Sequence, residues 1–241
     1  MSSTDRILSV LAFVVSASKP VSPQDIAAGL DLPISTVYRL LSHLKTWGFI
    51  SDSTQKSRYS AGAVGLQMSQ QFMEHSFLFD AARPALQRLA SRSQETVALI
   101  VSNQYQTICV DMIESPQALR CSFSVGKGQS LTRGASAKTL LAFSTPAIQQ
   151  AILAKHLPNP AEQADLNQQL ARIKAQGYGV SVGELDPGVW GVAAPILKRK
   201  ALQGIIAIMA PHSRVMGKEP ILIQEALNCA ASINEYVELQ Q

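Results

Sequence analysis

The stretch 32–44, "LPISTVYRLLSHL", separates into two faces. At roughly 100° per residue, Ile34, Val37, Leu40, Leu41 and Leu44 share one arc of about 120°. Ser35, Thr36, Tyr38, Arg39, Ser42 and His43 share the opposite one. The spacing predicts a helix from Pro33 to about Trp47, stopped at Gly48. Its apolar arc must pack against other elements. Its polar arc lacks the Glu and Lys of a face chosen for solubility and carries hydroxyls, a guanidinium and an imidazole instead. Upstream, Ile7, Leu8, Val10, Leu11, Val14 and Val15 predict an apolar first helix over 5–15. Ser22 followed by Pro23 starts a short second helix over 23–28 that ends at Gly29. Two helices joined by a tight glycine-containing turn form a helix-turn-helix.

After Gly48, "FI" and "RYSA" predict two short strands around the polar turn "SDSTQK". A hairpin in that place is a wing, with Lys56 and Arg58 expected at its tip. A linker helix is predicted over 66–79, and another helix from Pro84. Beyond Asp80 the pattern changes. "TVALIVS", "QTICVDMIE", "LRCSFSV", "VWGVAAPIL" and "LQGIIAIMA" are strand-like, and helical patterns fall over 135–143, 146–156, 161–176 and 219–239. The expected class is α+β: a winged helix-turn-helix domain over 1–65, a linker helix over 66–79, and a second domain over 80–241 with an antiparallel sheet covered by helices.

The net charge of +4 across 241 residues is mild, but its distribution is informative. Between Pro33 and Ser60 the basic residues Arg39, Lys45, Lys56 and Arg58 face a single acid, Asp52, an excess that can follow phosphates. Arg39 suits bidentate bonding to guanine, Ser35, Thr36 and Ser42 suit bases or phosphates, and Tyr38 and His43 suit the backbone. Ser22, at the start of the second helix, joins this expected DNA-contacting set. Cys109, Cys121 and Cys229 are scattered and odd in number, and the four histidines are equally dispersed. No metal site or cofactor is therefore expected, and the cysteine usage is that of a reducing cytoplasm. No apolar run reaches the roughly 18 residues of a membrane span. Ile7 to Val15 follows Asp5, which makes a poor signal peptide.

In order along the chain, "DIAAGLDLPISTVYRLLSHLKTWGFI" with its wing, then "ESPQALR", "GASAKTLLAF", "GYGVSVGELDPGVWGVAAPI" and "GIIAIMAP" resemble the IclR-type transcriptional regulators. The resemblance covers nearly the whole chain. It implies a winged-helix DNA reader joined by a helix to a GAF-like effector-binding and oligomerisation domain, working as a homodimer or homotetramer on a double-stranded operator. Carried over by motif, Ala135 and Ser136 at a helix start would offer amides to the carboxylate of a small-molecule effector, with Arg133 at the surface near the mouth. Other family pocket positions fall on Ser181, Gly191, Ile208 and Ala210. Small-oxoacid members carry an acid, a thiol and two hydroxyls there, so a wider, greasier cavity and an aromatic or longer-chain acid are expected here.

"GVSVG" over 179–183 matches the G-x-S-x-G nucleophile elbow, with Asp186 and His212 following it. That elbow needs a strand before the serine and a helix after it, and here a loop follows. No catalytic residue is assigned. The rival reading is a small-acid hydrolase or isomerase in the second domain with a regulatory DNA-binding half.

Overall fold

The computed structural model describes residues 2–103, 106–126 and 128–239. They fall into two compact units, Met1–Ser76 and Phe77–Gln241. The first contains α1 (Ser3–Ser16), α2 (Pro23–Leu30), α3 (Ile34–Thr46), β1 (Ile50–Asp52), β2 (Tyr59–Ala61) and α4 (Ala63–His75). Both α1 and α2 open on reciprocal capping boxes, Ser2 with Asp5 and Ser22 with Asp25, which satisfy end amides that no helical carbonyl can reach. α2 runs on through Gly29 and turns at Asp31, whose φ is 51°.

Val10, Val14, Ile26, Val37, Leu40, Leu41, Leu44 and Ile50 form the core of this unit. Four of the five apolar positions expected on α3 are thus buried. Ile34 is not: it lies in the first turn, at the edge of the stripe, and is 41% exposed. β1 and β2 pair antiparallel. Val21 and Tyr59 exchange backbone hydrogen bonds of 3.0 and 2.8 Å, so the segment before α2 adds a third, single-residue rung to the wing.

The second unit contains α5 (Phe77–Ser93), β3 (Thr96–Ser102), β4 (Gln106–Ile113), β5 (Gly128–Ser130), α6 (Ala135–Phe143), α7 (Pro146–His156), α8 (Pro160–Gln176), β6 (Gly179–Val182), β7 (Val189–Lys198), β8 (Ala201–Pro211), α9 (His212–Val215) and α10 (Glu219–Leu239). Its sheet has the order β5-β4-β3-β8-β7-β6, and neighbouring strands are antiparallel. The class is α+β. On the central strands side chains alternate by face, as the pleat requires. Val97, Leu99, Ile206 and Ile208 pack with α5 and α10, and Ala98, Ile100, Ile205 and Ala207 pack with α6 and α8.

Strands β5 and β6 and the short helix α9 were not expected from the sequence, and three expected elements differ. The helix expected over 66–79 breaks at Ser76, and its last residues begin α5 instead. α5 passes through Pro84, where a helix start was expected, because Leu78, Ala82, Ala85, Leu86 and Leu89 are buried along one side and hold both halves in line. "LRCSFSV" is not a strand. Residues 114–126 form an irregular strap fastened by buried side chains: Thr96 Oγ1 donates to the Cys121 carbonyl at 2.6 Å and Ser115 Oγ donates to the Gln94 carbonyl at 2.8 Å.

Candidate functional site

In the first unit, the buried back of α3 fixes the direction of its other face. Ser35, Tyr38, Arg39, Ser42 and His43 are exposed there, and Thr36 is half-buried. The Arg39 side chain meets no acid or hydrogen-bond acceptor among the described residues. Lys56 is exposed at the tip of the wing.

Arg58, expected beside Lys56, is placed at the wing's base instead. Its guanidinium donates to the Pro20 carbonyl at 2.7 Å and to Asp25 Oδ2 at 3.2 Å. Asp25 is the acid of the α2 capping box. Hydrogen bonds from Ser22, backbone and side chain, hold its carboxyl below the usual range, and Arg58 adds to this. Arg58 is thus a brace between wing and α2. Ser22 is engaged as the cap of α2, its Oγ accepting from Asp25 N–H at 3.1 Å. Lys45 pairs with Asp52 of β1, which removes one of the four cations counted as free from the sequence.

In the second unit a cavity of about 490 Å³ opens beside the N-terminus of α6. One wall is the strap, with Leu119, Cys121 and Phe123; another is the turn between β6 and β7; the floor is Ala135, Ser136, Ser181 and Gly191. A Cβ added at Gly191 would lie 3.7 Å from Ser181 Oγ and 3.8 Å from the Ala135 Cβ, so the missing side chain leaves room between them. Arg133 also lines the cavity, and its guanidinium donates to the Glu184 carbonyl.

Two expected contacts are altered here. The Ala135 N–H, expected to bind a ligand, donates to Ser181 Oγ at 2.9 Å. Ala210 does not line the cavity: it and Ile208 point into the core shared with α5 and α10. Ile208 touches the cavity wall, and its carbonyl oxygen lies 3.6 Å from where a Gly191 Cβ would be. Ile208 therefore lines the cavity as expected, while Ala210, two residues further on, does not. Met209 and Pro211 take the cavity side.

The turn carries what the sequence reading missed. Glu184 Oε2 accepts from Gly134 N–H at 2.9 Å, and Glu184 Oε1 pairs with Lys138 Nζ at 2.5 Å. Lys138 projects from α6 with 6% side-chain exposure and also donates to Gln169 of α8 at 2.9 Å. Gly134 caps α6 with φ 86°, and an added Cβ would lie 2.9 Å from Leu185 Cδ1; a side chain here would be strained and crowded. The available signal was a lysine inside the largely apolar run "AKTLLA". Its partner lies 46 residues away.

Across the cavity, Arg214 of α9 forms a two-pronged pair with buried Glu95 and donates to the Leu119 carbonyl at 2.8 Å, bracing the strap. Burial, reinforced by the nearby Glu95, pushes the Cys121 thiol up, and burial raises Cys109 and Cys229 to about 12. These thiols stay protonated at neutral pH. Among the described residues no cluster of His, Cys, Asp and Glu could hold a metal ion, and no helix is long and apolar enough to cross a membrane. Ser181 sits inside edge strand β6, followed by a turn and not by a helix, so the elbow geometry of "GVSVG" is not formed.

Comparison with known proteins follows this division. The pattern described as the IclR helix-turn-helix domain matches residues 3–52, and that of the bacterial transcriptional regulator IclR C-terminal domain matches 70–235. The chain is 30% identical to the HTH-type transcriptional regulator BhcR of Paracoccus denitrificans over 222 residues, covering 88% of this chain and 78% of that protein. An IclR family transcriptional regulator from Brucella abortus superposes with a TM-score of 0.83 at 20% identity, over 98% of this chain and 92% of the other. An IclR homologue from Microbacterium hydrocarbonoxydans, solved with 4-hydroxybenzoate, superposes with a TM-score of 0.71 at 19% identity, over 99% of this chain and all (100%) of the other.

The two halves of the Lys138–Glu184 pair differ in access to water, and their removal should differ accordingly. Glu184→Gln strands a buried ammonium and should destabilise the second unit by roughly 3 kcal/mol. Lys138→Met leaves a carboxylate that water can reach and should cost about 1 kcal/mol. Urea titrations of the two variants measure the difference; equal losses would contradict the asymmetry.

Proposed function

The chain belongs to the IclR family of bacterial transcriptional regulators, and we propose that it reads its operator with α3 and the wing tip and senses a small organic acid in the cavity beside α6. The observation that carries the DNA assignment is the ridge Ser35–Thr36–Tyr38–Arg39–Ser42–His43, polar and outward on a helix whose other side is core. Such a ridge offers donors and acceptors to base edges and phosphates in a major groove. Arg39 is the base reader and Lys56 a phosphate contact. Arg58 is reassigned to holding the wing, and Ser22 contributes by fixing α2.

The cavity has the size of a site for an aromatic acid, and Leu119, Phe123, Leu185, Val189, Met209 and Pro211 supply apolar wall. A two-carbon oxoacid would leave most of it unfilled. The relative from M. hydrocarbonoxydans holds 4-hydroxybenzoate, which agrees with an aromatic ligand. Two relatives are named as repressors, the transcriptional repressor IclR of Escherichia coli and the acetate operon repressor of Salmonella typhimurium, which supports repression as the mode proposed for this chain.

One α3 per duplex buries too little for a selective complex, so two copies on a two-fold operator are proposed. α4 supports this. None of its 13 residues is buried, and Leu66, Met68, Phe72 and Met73 are exposed along one side. A helix of this length is marginal in water on its own. Pairing with the same helix of a second copy covers that side, and Leu8 and Val15 of α1 offer further exposed apolar surface. A tetramer would add contacts between second units.

Gel-shift titration on the DNA upstream of the protein's own gene tests this reading. Arg39→Ala should weaken specific binding by about 1–3 kcal/mol, while Lys56→Ala should weaken specific and non-specific binding alike. Aromatic acids should release the complex at concentrations where glyoxylate does not. Unchanged affinity for Arg39→Ala would remove α3 as the reader. Phe72→Glu should lower the sedimenting mass of the native protein to that of one chain; a variant that still sediments as the native assembly would remove α4 from the interface.

A further inference from the structure

The turn between β6 and β7 supplies five consecutive residues of the cavity wall, Glu184, Leu185, Asp186, Pro187 and Gly188, and Val189 at the start of β7 adds a sixth. At its far end His212 N–H donates to the Gly188 carbonyl at 2.7 Å. At its near end the polar ties run to the start of α6: Glu184 Oε2 to Gly134 N–H, Glu184 Oε1 to Lys138, and the Glu184 carbonyl to Arg133. Two of these three use the carboxylate. A carboxylate carried by the chain itself therefore occupies a place beside the cavity floor that is built for an anion.

Lys138 decides what can replace it. Its ammonium is out of water, and its other partner, Gln169, is neutral. Removing Glu184 alone would leave a buried cation uncompensated, which is costly. Replacing it with another anion would not. The exchange is therefore open to an acid and closed to a neutral molecule of the same shape.

Resting on the reading of this cavity as the effector site, we propose that Glu184 is an internal stand-in for the ligand's acid group. A carboxylate entering the cavity takes over the Gly134 N–H and the Lys138 ammonium, Glu184 moves out to water, and the turn 183–188 is released from α6. The ligand class follows: monoanionic carboxylic acids with an apolar body. Binding and movement of the turn are then one event, because the single Gly134 N–H cannot serve both carboxylates.

Benzoate serves as the probe and benzamide as its uncharged control, titrated calorimetrically into the full native chain and into Glu184→Gln. The variant should bind benzoate roughly tenfold tighter than the native chain, and benzamide should bind both equally and weakly. On the native chain, which needs no variant to fold, benzoate should speed amide hydrogen exchange over 183–189. Equal or weaker benzoate binding by Glu184→Gln, benzamide matching benzoate on the native chain, or slowed exchange in the turn would each overturn the proposal. Benzoate that behaves as expected but leaves the operator complex intact would refute the effector reading and leave the exchange standing. Benzoate binding to neither protein would refute both.

Discussion

Lys138 sits on the inner side of α6, and the free energy of keeping an ammonium there depends on one carboxylate. Desolvating a cation is expensive, and only a close anion with good geometry compensates for it. Glu184 supplies that anion from a turn far along the chain. In doing so it brings the β6–β7 turn down onto α6 and closes one side of the cavity. The pose of Leu185 over Gly134 and the occupied Gly134 N–H go with this pair.

The opposite wall depends on a second buried pair, Arg214 with Glu95, together with the Thr96 and Ser115 hydroxyls. These fasten a strap that has no ladder hydrogen bonds of its own over most of its length. An irregular segment can serve as a wall because buried side chains satisfy its backbone. The sheet behind it is rigid by comparison, with β3 and β8 buried on both faces. The cavity therefore has a floor of packed helix and sheet and two walls held by a few polar contacts.

In the DNA half, polar groups divide between holding and reading. Asp25 closes the capping box of α2 and receives Arg58, so one carboxylate ties helix, wing and the preceding turn together. Lys45 and Asp52 join α3 to β1. Arg39 and Lys56 are left exposed. Exposed pairs of this kind contribute little stability each. Their effect is to fix direction, so that the free cations point where the helix and wing tip point.

Most elements were legible in the chain. The α3 stripe, the Ser22–Pro23 start, the wing and the helices Ala135–Phe143, Pro146–His156 and Glu219–Leu239 are local patterns, set by period and capping over a turn or two. The family resemblance added the order of the two units. What tertiary structure decided is who meets whom. Arg58 was read as a free cation, and its acid lies 33 residues away. The Ala135 amide was read as open, and Ser181 reaches it from 46 residues on, while Glu184 reaches the neighbouring Gly134 amide from 50 residues on. Ala210 was assigned to the cavity with Ile208; Ile208 lines it, but Ala210 packs in the core shared with α5 and α10. Periodicity reports which face of an element is apolar, because neighbours in sequence share that face. It carries no information on which distant charge will lie opposite, since that depends on how the whole chain packs.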